Sequence, residues 1–170
     1  LFKSLTMTLY EISLPEHGKG EPEKGLKELI SSMEQFYAGM LGVGADKKNT
    51  GDYFALEIAL PSVGGEVSFF AAVPNHKKDL FEKQLLSIFP GAKLEEQRDD
   101  YNIFNEAGAS AAAAAALTEA PVFPLKTYEQ FDYDPLNVIV NAFSKLKEAG
   151  EGASLQIIIS PPSKDYIKLY

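Results

Sequence analysis

Any chemistry this chain performs by itself must come from two histidines, one acidic run, scattered serines and a few glycine pairs, because cysteine is absent. That absence excludes thiolate nucleophiles, disulfides and cysteine-rich zinc sites. His17 sits in the polar stretch HGKGEPEKG, and His76 follows Pro74-Asn75, where a helix is expected to start. Neither histidine is spaced from carboxylates as a metal motif requires, so no metal site is expected and His76 reads as a surface residue of a first helical turn. Glu95, Glu96, Asp99 and Asp100 are close enough in sequence for acid/base work or calcium binding. Their spacing fits no EF-hand loop, and charge placed to keep a sheet edge soluble explains them more simply. Gly18-Lys19-Gly20 and Gly42-Val43-Gly44 lack the strand-to-helix setting of a phosphate cradle. No serine stands in a G-x-S-x-G elbow. The residues therefore point to a chain with no catalytic residues, no cofactor and no metal.

Composition bounds the function classes further. The 170 residues are enough for one large domain or two small ones, and 45% apolar with 24% charged content is that of ordinary globular protein. The net charge of -8 opposes direct DNA or RNA binding, which depends on clustered lysine and arginine. No run of about 18 apolar residues is present to cross a bilayer, and no signal peptide is recognisable. The chain starts Leu1-Phe2-Lys3 rather than with methionine, as an excised part of a longer protein would.

The elements that would position these residues follow from periodicity. Thr6 to Leu14 alternates as a strand, with Thr8, Tyr10, Ile12 and Leu14 on one face. Leu26, Leu29, Ile30, Met33, Phe36, Tyr37 and Met40 recur at helical spacing, and Gly42 and Gly44 should close that helix. Residues 45 to 52 form a polar loop with no apolar anchor, expected to be mobile. Tyr53 to Leu60 reads as a half-exposed strand with Phe54, Leu56, Ile58 and Leu60 inside and Glu57 outside. Glu66 to Val73 reads as its hairpin partner, a central strand that places both Phe69 and Phe70 in the core. Asn75 is the expected cap of a helix burying Leu80, Phe81, Leu85 and Ile88, stopped by Pro90-Gly91. Ala92 to Arg98 is then a charged edge strand.

The order strand-helix-strand-strand-helix-strand over residues 1–100, with the last strand at an edge and the first and third central, predicts an α+β fold containing a ferredoxin-like split βαβ unit. Residues 101–170 form an extended connection and a partial second αβ unit. Propensity alone makes the run Ala111 to Ala116 helical. Val122 to Tyr128 reads as extended, and Asp134-Pro135 as cap and first-turn proline of a helix carrying Leu136, Ile139, Val140, Phe143 and Leu146 on one face. Gly150 and Gly152 end it, and Ala153 to Ser160 is expected to be a buried strand. Tyr101, Phe104, Phe123, Tyr128, Phe131 and Tyr133 lie in loop-like sequence, where they would seal the two halves together or form a docking surface. Tyr101, Phe104, Phe131 and Tyr133 are the candidate interaction residues.

Several segments resemble a known family. LFKSLTMTLYEISLPEHGKGEPEKGLKELISSMEQFYAGM, FALEIAL and EVSFFAAVPNHKKDLFEKQLLSIFPGAKLEE are similar to the amino-terminal, non-motor domain of bacterial conjugative, type IV secretion-like ATPases. VFPLKTYEQFDYDPLNVIVNAFSKLKEAGEGASLQIIISP resembles the region that follows it. The resemblance covers most of the chain, and none of its motifs is a catalytic signature. It implies a membrane-spanning helix before this segment and a RecA-like motor after it, hence a cytoplasmic, membrane-proximal location. It also implies protein partners, including other copies assembled through the parent ATPase. Finally, it implies an extended strand over Ala113 to Thr118, against helix propensity. No catalytic or ligand residue is carried over by it. The alternative is a standalone ferredoxin-like module binding a small molecule or peptide on its sheet, favoured by a pocket between the two halves lined by Tyr101, Phe104 and Phe131.

Overall fold

The structure, a computed structural model, describes residues 6–14, 26–41, 52–61, 65–98, 103–104, 107–119, 123–132, 134–147 and 149–160. His17, the two glycine pairs, the loop over 45–51, Asp99, Asp100, Tyr101, Val122 and Tyr133 lie outside them.

Alternation makes β1 (Met7–Ser13), β2 (Phe54–Leu60) and β3 (Ser68–Pro74), and helical spacing makes α1 (Leu26–Met40) and α2 (Lys78–Ile88). The charged segment forms the short strand β4 (Lys93–Gln97), and the carboxy-terminal apolar run forms β5 (Ala153–Ile159). The fold is mixed α+β. Its open five-stranded sheet has the order β4-β1-β3-β2-β5. The ladders β1–β3, β1–β4 and β2–β3 are antiparallel. The charged strand thus stands at one border, with β1 and β3 inside, as its composition requires. The strand expected to belong to a second, partial unit lies in this same sheet, next to β2.

Register assigns the faces. Tyr10 stands opposite Ala71 and Glu96, and Ala71 stands opposite Leu56. On this face α1 and α2 cover the sheet. Phe81 stacks on Tyr10 at 5.8 Å between ring centroids, and Phe36 meets Phe81 and Phe54 edge-on at 5.9 and 6.2 Å. Met40, Val73, Leu85 and Ala92 complete the buried cluster. Edge-to-face and offset contacts of this kind add to the burial of large apolar side chains.

Three expectations change here. Phe69 is 51% exposed, not core. It occupies the row Ile12–Phe69–Ile58, one row beyond the Tyr10–Ala71–Leu56 row that the aromatic rings cover. β2 is not half-exposed: Glu57 is 6% exposed, and its same-face neighbours Ala55 and Ala59 are buried as well. β5 joins β2 on the side that would otherwise have been a border, which turns β2 into an internal strand. Leu14, expected inside, lies past the end of β1 and is exposed.

Two compact units divide the chain. The first comprises residues 1–59, 67–101 and 154–170, and contains nearly the whole sheet with α1 and α2. The second comprises residues 60–66 and 102–153 and contains α3 (Pro135–Phe143). Asp134 caps α3 as read from sequence, its Oδ1 accepting from the backbone N–H of Leu136 at 2.9 Å with Pro135 following. Phe143 is buried and Ile139, Val140 and Leu146 are half-buried, whereas Leu136 at the start of the stripe is exposed. Residues 111–117 form neither the expected strand nor a helix, and all are exposed. Six alanines are fewer than the roughly 12 to 15 residues an isolated helix needs in water, and with all of them exposed little burial offsets the shortfall. Residues 123–127 carry no regular structure, and a 3-10 turn follows over Tyr128–Gln130.

Candidate interaction surface

The polar residues singled out above are placed by the first unit. Glu95 and Glu96 are neighbours on β4 and so face opposite ways. Glu96 stands opposite Tyr10 and pairs with Lys78 at 2.6 Å, and the Lys78 ammonium lies 6.0 Å from the centroid of the Tyr10 ring. Glu95 stands opposite Glu11, which accepts from Gln97 Nε2 at 3.0 Å. The two carboxylates are therefore separated by the sheet and share no site. Tyr10 itself donates to Glu82 Oε1 at 2.6 Å. Burial, then the Glu82 carboxylate, push its phenol far above the usual tyrosine range.

Asn75 does not cap α2. A 3-10 turn over Asn75–Lys77 precedes the helix, whose cap position is Lys77 with no side-chain bond, and Asn75 Oδ1 instead accepts from the Thr8 hydroxyl at 2.7 Å. His76 lies on the surface, as read from sequence, but it has a partner that spacing could not reveal. Its Nε2 is 2.9 Å from Asp52 Oδ2, and the two side chains are 42% and 10% exposed. Among the described residues, no group of three His, Asp or Glu side chains is arranged to hold a metal ion.

The candidate aromatics divide. Phe104 lines a cleft of about 400 Å³ within the second unit, together with Ile103, Leu146, Gly150, Glu151 and Gly152. Phe131 is not part of that cleft; it is exposed, with the Lys126 ammonium 5.8 Å from its ring centroid. Tyr101 and Tyr133 lie outside the described residues. Leu117, Phe123 and Leu125 add further exposed apolar side chains to this unit.

Sequence reasoning missed the most distinctive surface because it placed β5 inside. Ile157 is 52% exposed and Ile158 is 61% exposed. Gln156 Nε2 donates to Glu57 Oε1 at 2.7 Å, which places Gln156 and Ile158 on the Glu57 face. Ile159 packs against the helix-covered core, so Leu155 and Ile157 share its face. β5 is the border of the sheet, and among the described residues no strand lies beyond it. The opposite border carries Lys93, Glu95 and Glu96, whereas Ala153–Ile159 contains no charged residue. An uncharged apolar edge strand is a template for another strand. The signal that sequence offers is compositional: Ala153–Ile159 carries no charge, which suits a buried strand and an unprotected border equally.

Residues 10–169 match a family described as Domain of unknown function (DUF8128). No curated protein and no solved structure matches the chain. Among the described residues, no helix is long and apolar enough to cross a membrane.

Proposed function

The chain belongs to the DUF8128 family, and we propose that this member is a noncatalytic interaction domain that docks protein partners through its sheet. The observation that carries this reading is β5, a seven-residue border strand without charge that presents Ile157 and Ile158 to solvent. Main-chain bonding along such a border supplies affinity, and alternate side chains supply specificity. Following the resemblance in its sequence, the domain is the amino-terminal, non-motor part of a membrane-associated secretion- or conjugation-type ATPase, cytoplasmic and close to the membrane, and it positions the motor or joins subunits. The chemistry then belongs to the parent protein.

The same proposal takes β1, α1, β2, β3, α2 and β4 as a ferredoxin-like split βαβ unit. The partial order β4-β1-β3-β2 and the antiparallel ladders support it. β5 is an addition to that unit.

Titration of the purified chain with Mg-ATP by calorimetry tests the noncatalytic part. No saturable heat is expected, and saturable ATP binding overturns it. A second reading, a module that binds a small molecule or peptide, is favoured by the cleft beside Phe104, whose size falls within the range of ligand sites of about 300 to 1,000 Å³. Ligand-dependent shifts confined to Ile103, Phe104 and Leu146 in an NMR fragment screen would select it.

A further inference from the structure

We infer that the partner of β5 is β5 of a second copy of this chain, paired antiparallel about a two-fold axis at Ile157. This rests on the interaction-domain reading above and names the partner of the same surface.

Charge selects the occupant. The chain carries a net charge of -8, which sets copies of it against one another at most surfaces. β4 could not pair with itself without crowding Glu95, Glu96 and Lys93 at one seam. β5 has no charged residue, so self-pairing there brings no like charges opposite each other. The edge is also self-complementary in pattern. With the axis at Ile157, that residue stands opposite its own copy, Leu155 stands opposite Ile159 of the partner subunit, and Gln156 stands opposite Ile158 of the partner subunit. Directly opposed residues point to the same face of a sheet. The row Leu155, Ile157 and Ile159 therefore continues into the same row of the second copy, on the face that carries the helix-covered core. A two-fold contact of this kind uses one patch twice and closes on itself, so it gives a dimer and not a filament. The sheet becomes ten-stranded, and the uncharged edge is consumed. Seven residues of border bury less than the ~1,000 Å² of a stable interface, so association should depend on concentration.

Sedimentation velocity on the full chain across a concentration series tests this. The wild-type chain is expected to pass from monomer to dimer, with amide exchange slowing over Leu155 to Ile159 as the dimer fills. Because Ile157 opposes itself, Ile157→Lys and Ile157→Glu should each abolish the dimer while keeping the wild-type circular dichroism, and mixing the two should restore it as a heterodimer. A wild-type chain that stays monomeric throughout overturns the inference, as does a dimer that persists in both variants. Two folded, monomeric variants that fail to recombine overturn the register at Ile157. If either variant fails to fold, the concentration dependence of exchange at Leu155 to Ile159 in the wild-type chain decides. The ATP titration reports on the noncatalytic reading separately, so the two failures are told apart.

Discussion

Gln156 Nε2 donates to Glu57 Oε1 at 2.7 Å, joining the border strand to β2 through a carboxylate almost withdrawn from water. A buried acceptor that loses a donor costs about 1–3 kcal/mol. Gln156→Ala should therefore destabilise the chain by about that amount, measured by urea unfolding. The loss should be felt first locally, since a border strand has one neighbour to hold it. Hydrogen exchange over Ala153–Ile159 should accelerate before the rest of the sheet responds. Uniform acceleration across β1 and β3 would show that the bond is not what fastens β5.

Tyr10 makes stability fall at high pH. Burial and Glu82 hold its phenol protonated well above the ordinary value of 10.0, and burial shifts Tyr37 in the same direction. Above about pH 10 the unfolded phenol releases its proton while folded Tyr10 keeps it, so the folded state binds more protons. Stability then declines by up to about 1.4 kcal/mol per pH unit from Tyr10 alone, and below that pH its contribution is constant. Tyr10→Phe should cost about 1 kcal/mol at neutral pH through loss of the bond to Glu82, and should flatten the alkaline decline. Urea unfolding of both proteins at pH near 8, 10 and 11 compares the slopes; equal slopes would remove Tyr10 as the cause.

What could be read from sequence was what the chain decides locally. Asp134 and Pro135 set the start of α3 within three residues, and alternation identified Phe54 and Leu56 as core-facing. Failures came where a distant segment decides. Glu57 reads as a solvent residue until β5, about 100 positions later, lies beside β2. Ile157 and Ile158 read as core because three consecutive isoleucines look the same in a buried strand and in an uncharged border. Asn75 had the composition of a helix cap, and the Thr8 hydroxyl took its side chain instead. For the candidate surface, the aromatics were visible by type, but only the fold could show that Phe104 lines a cleft and Phe131 does not.

His76 and Asp52 form a contact across 24 positions, at the point where the chain enters α2. With Asp52 nearly buried, removal of His76 takes a partner from a carboxylate that is poorly hydrated. His76→Ala and Asp52→Asn should each destabilise by about 1–2 kcal/mol, and the double variant by less than their sum, with a coupling of at least about 0.5 kcal/mol. A thermodynamic cycle from urea unfolding measures it. Strict additivity would mean that the contact contributes nothing.

Two glycines should respond to alanine with opposite signs. At Gly39 in α1, the nearest atoms to an added Cβ are Oε1, Cδ and Cγ of the half-buried Gln84 side chain, a flexible chain that can shift. Gly39 is the last residue but one of α1, so the change gains up to about 0.5 kcal/mol, because glycine loses more backbone freedom on folding than alanine does. At Gly152 a Cβ would lie 2.7 Å from the Pro61 carbonyl oxygen, 3.0 Å from that of Leu60 and 3.2 Å from Ile103 Cβ. Carbonyl oxygens cannot rotate away without moving the backbone that leaves β2, so Gly152→Ala should cost about 1–3 kcal/mol, as overpacking does. Paired melting curves read the difference directly. Gly39→Ala should raise the midpoint and Gly152→Ala should lower it. If Gly152→Ala leaves the midpoint unchanged, the close approach of residues 60–61 to Gly152 is not a constraint on the second unit.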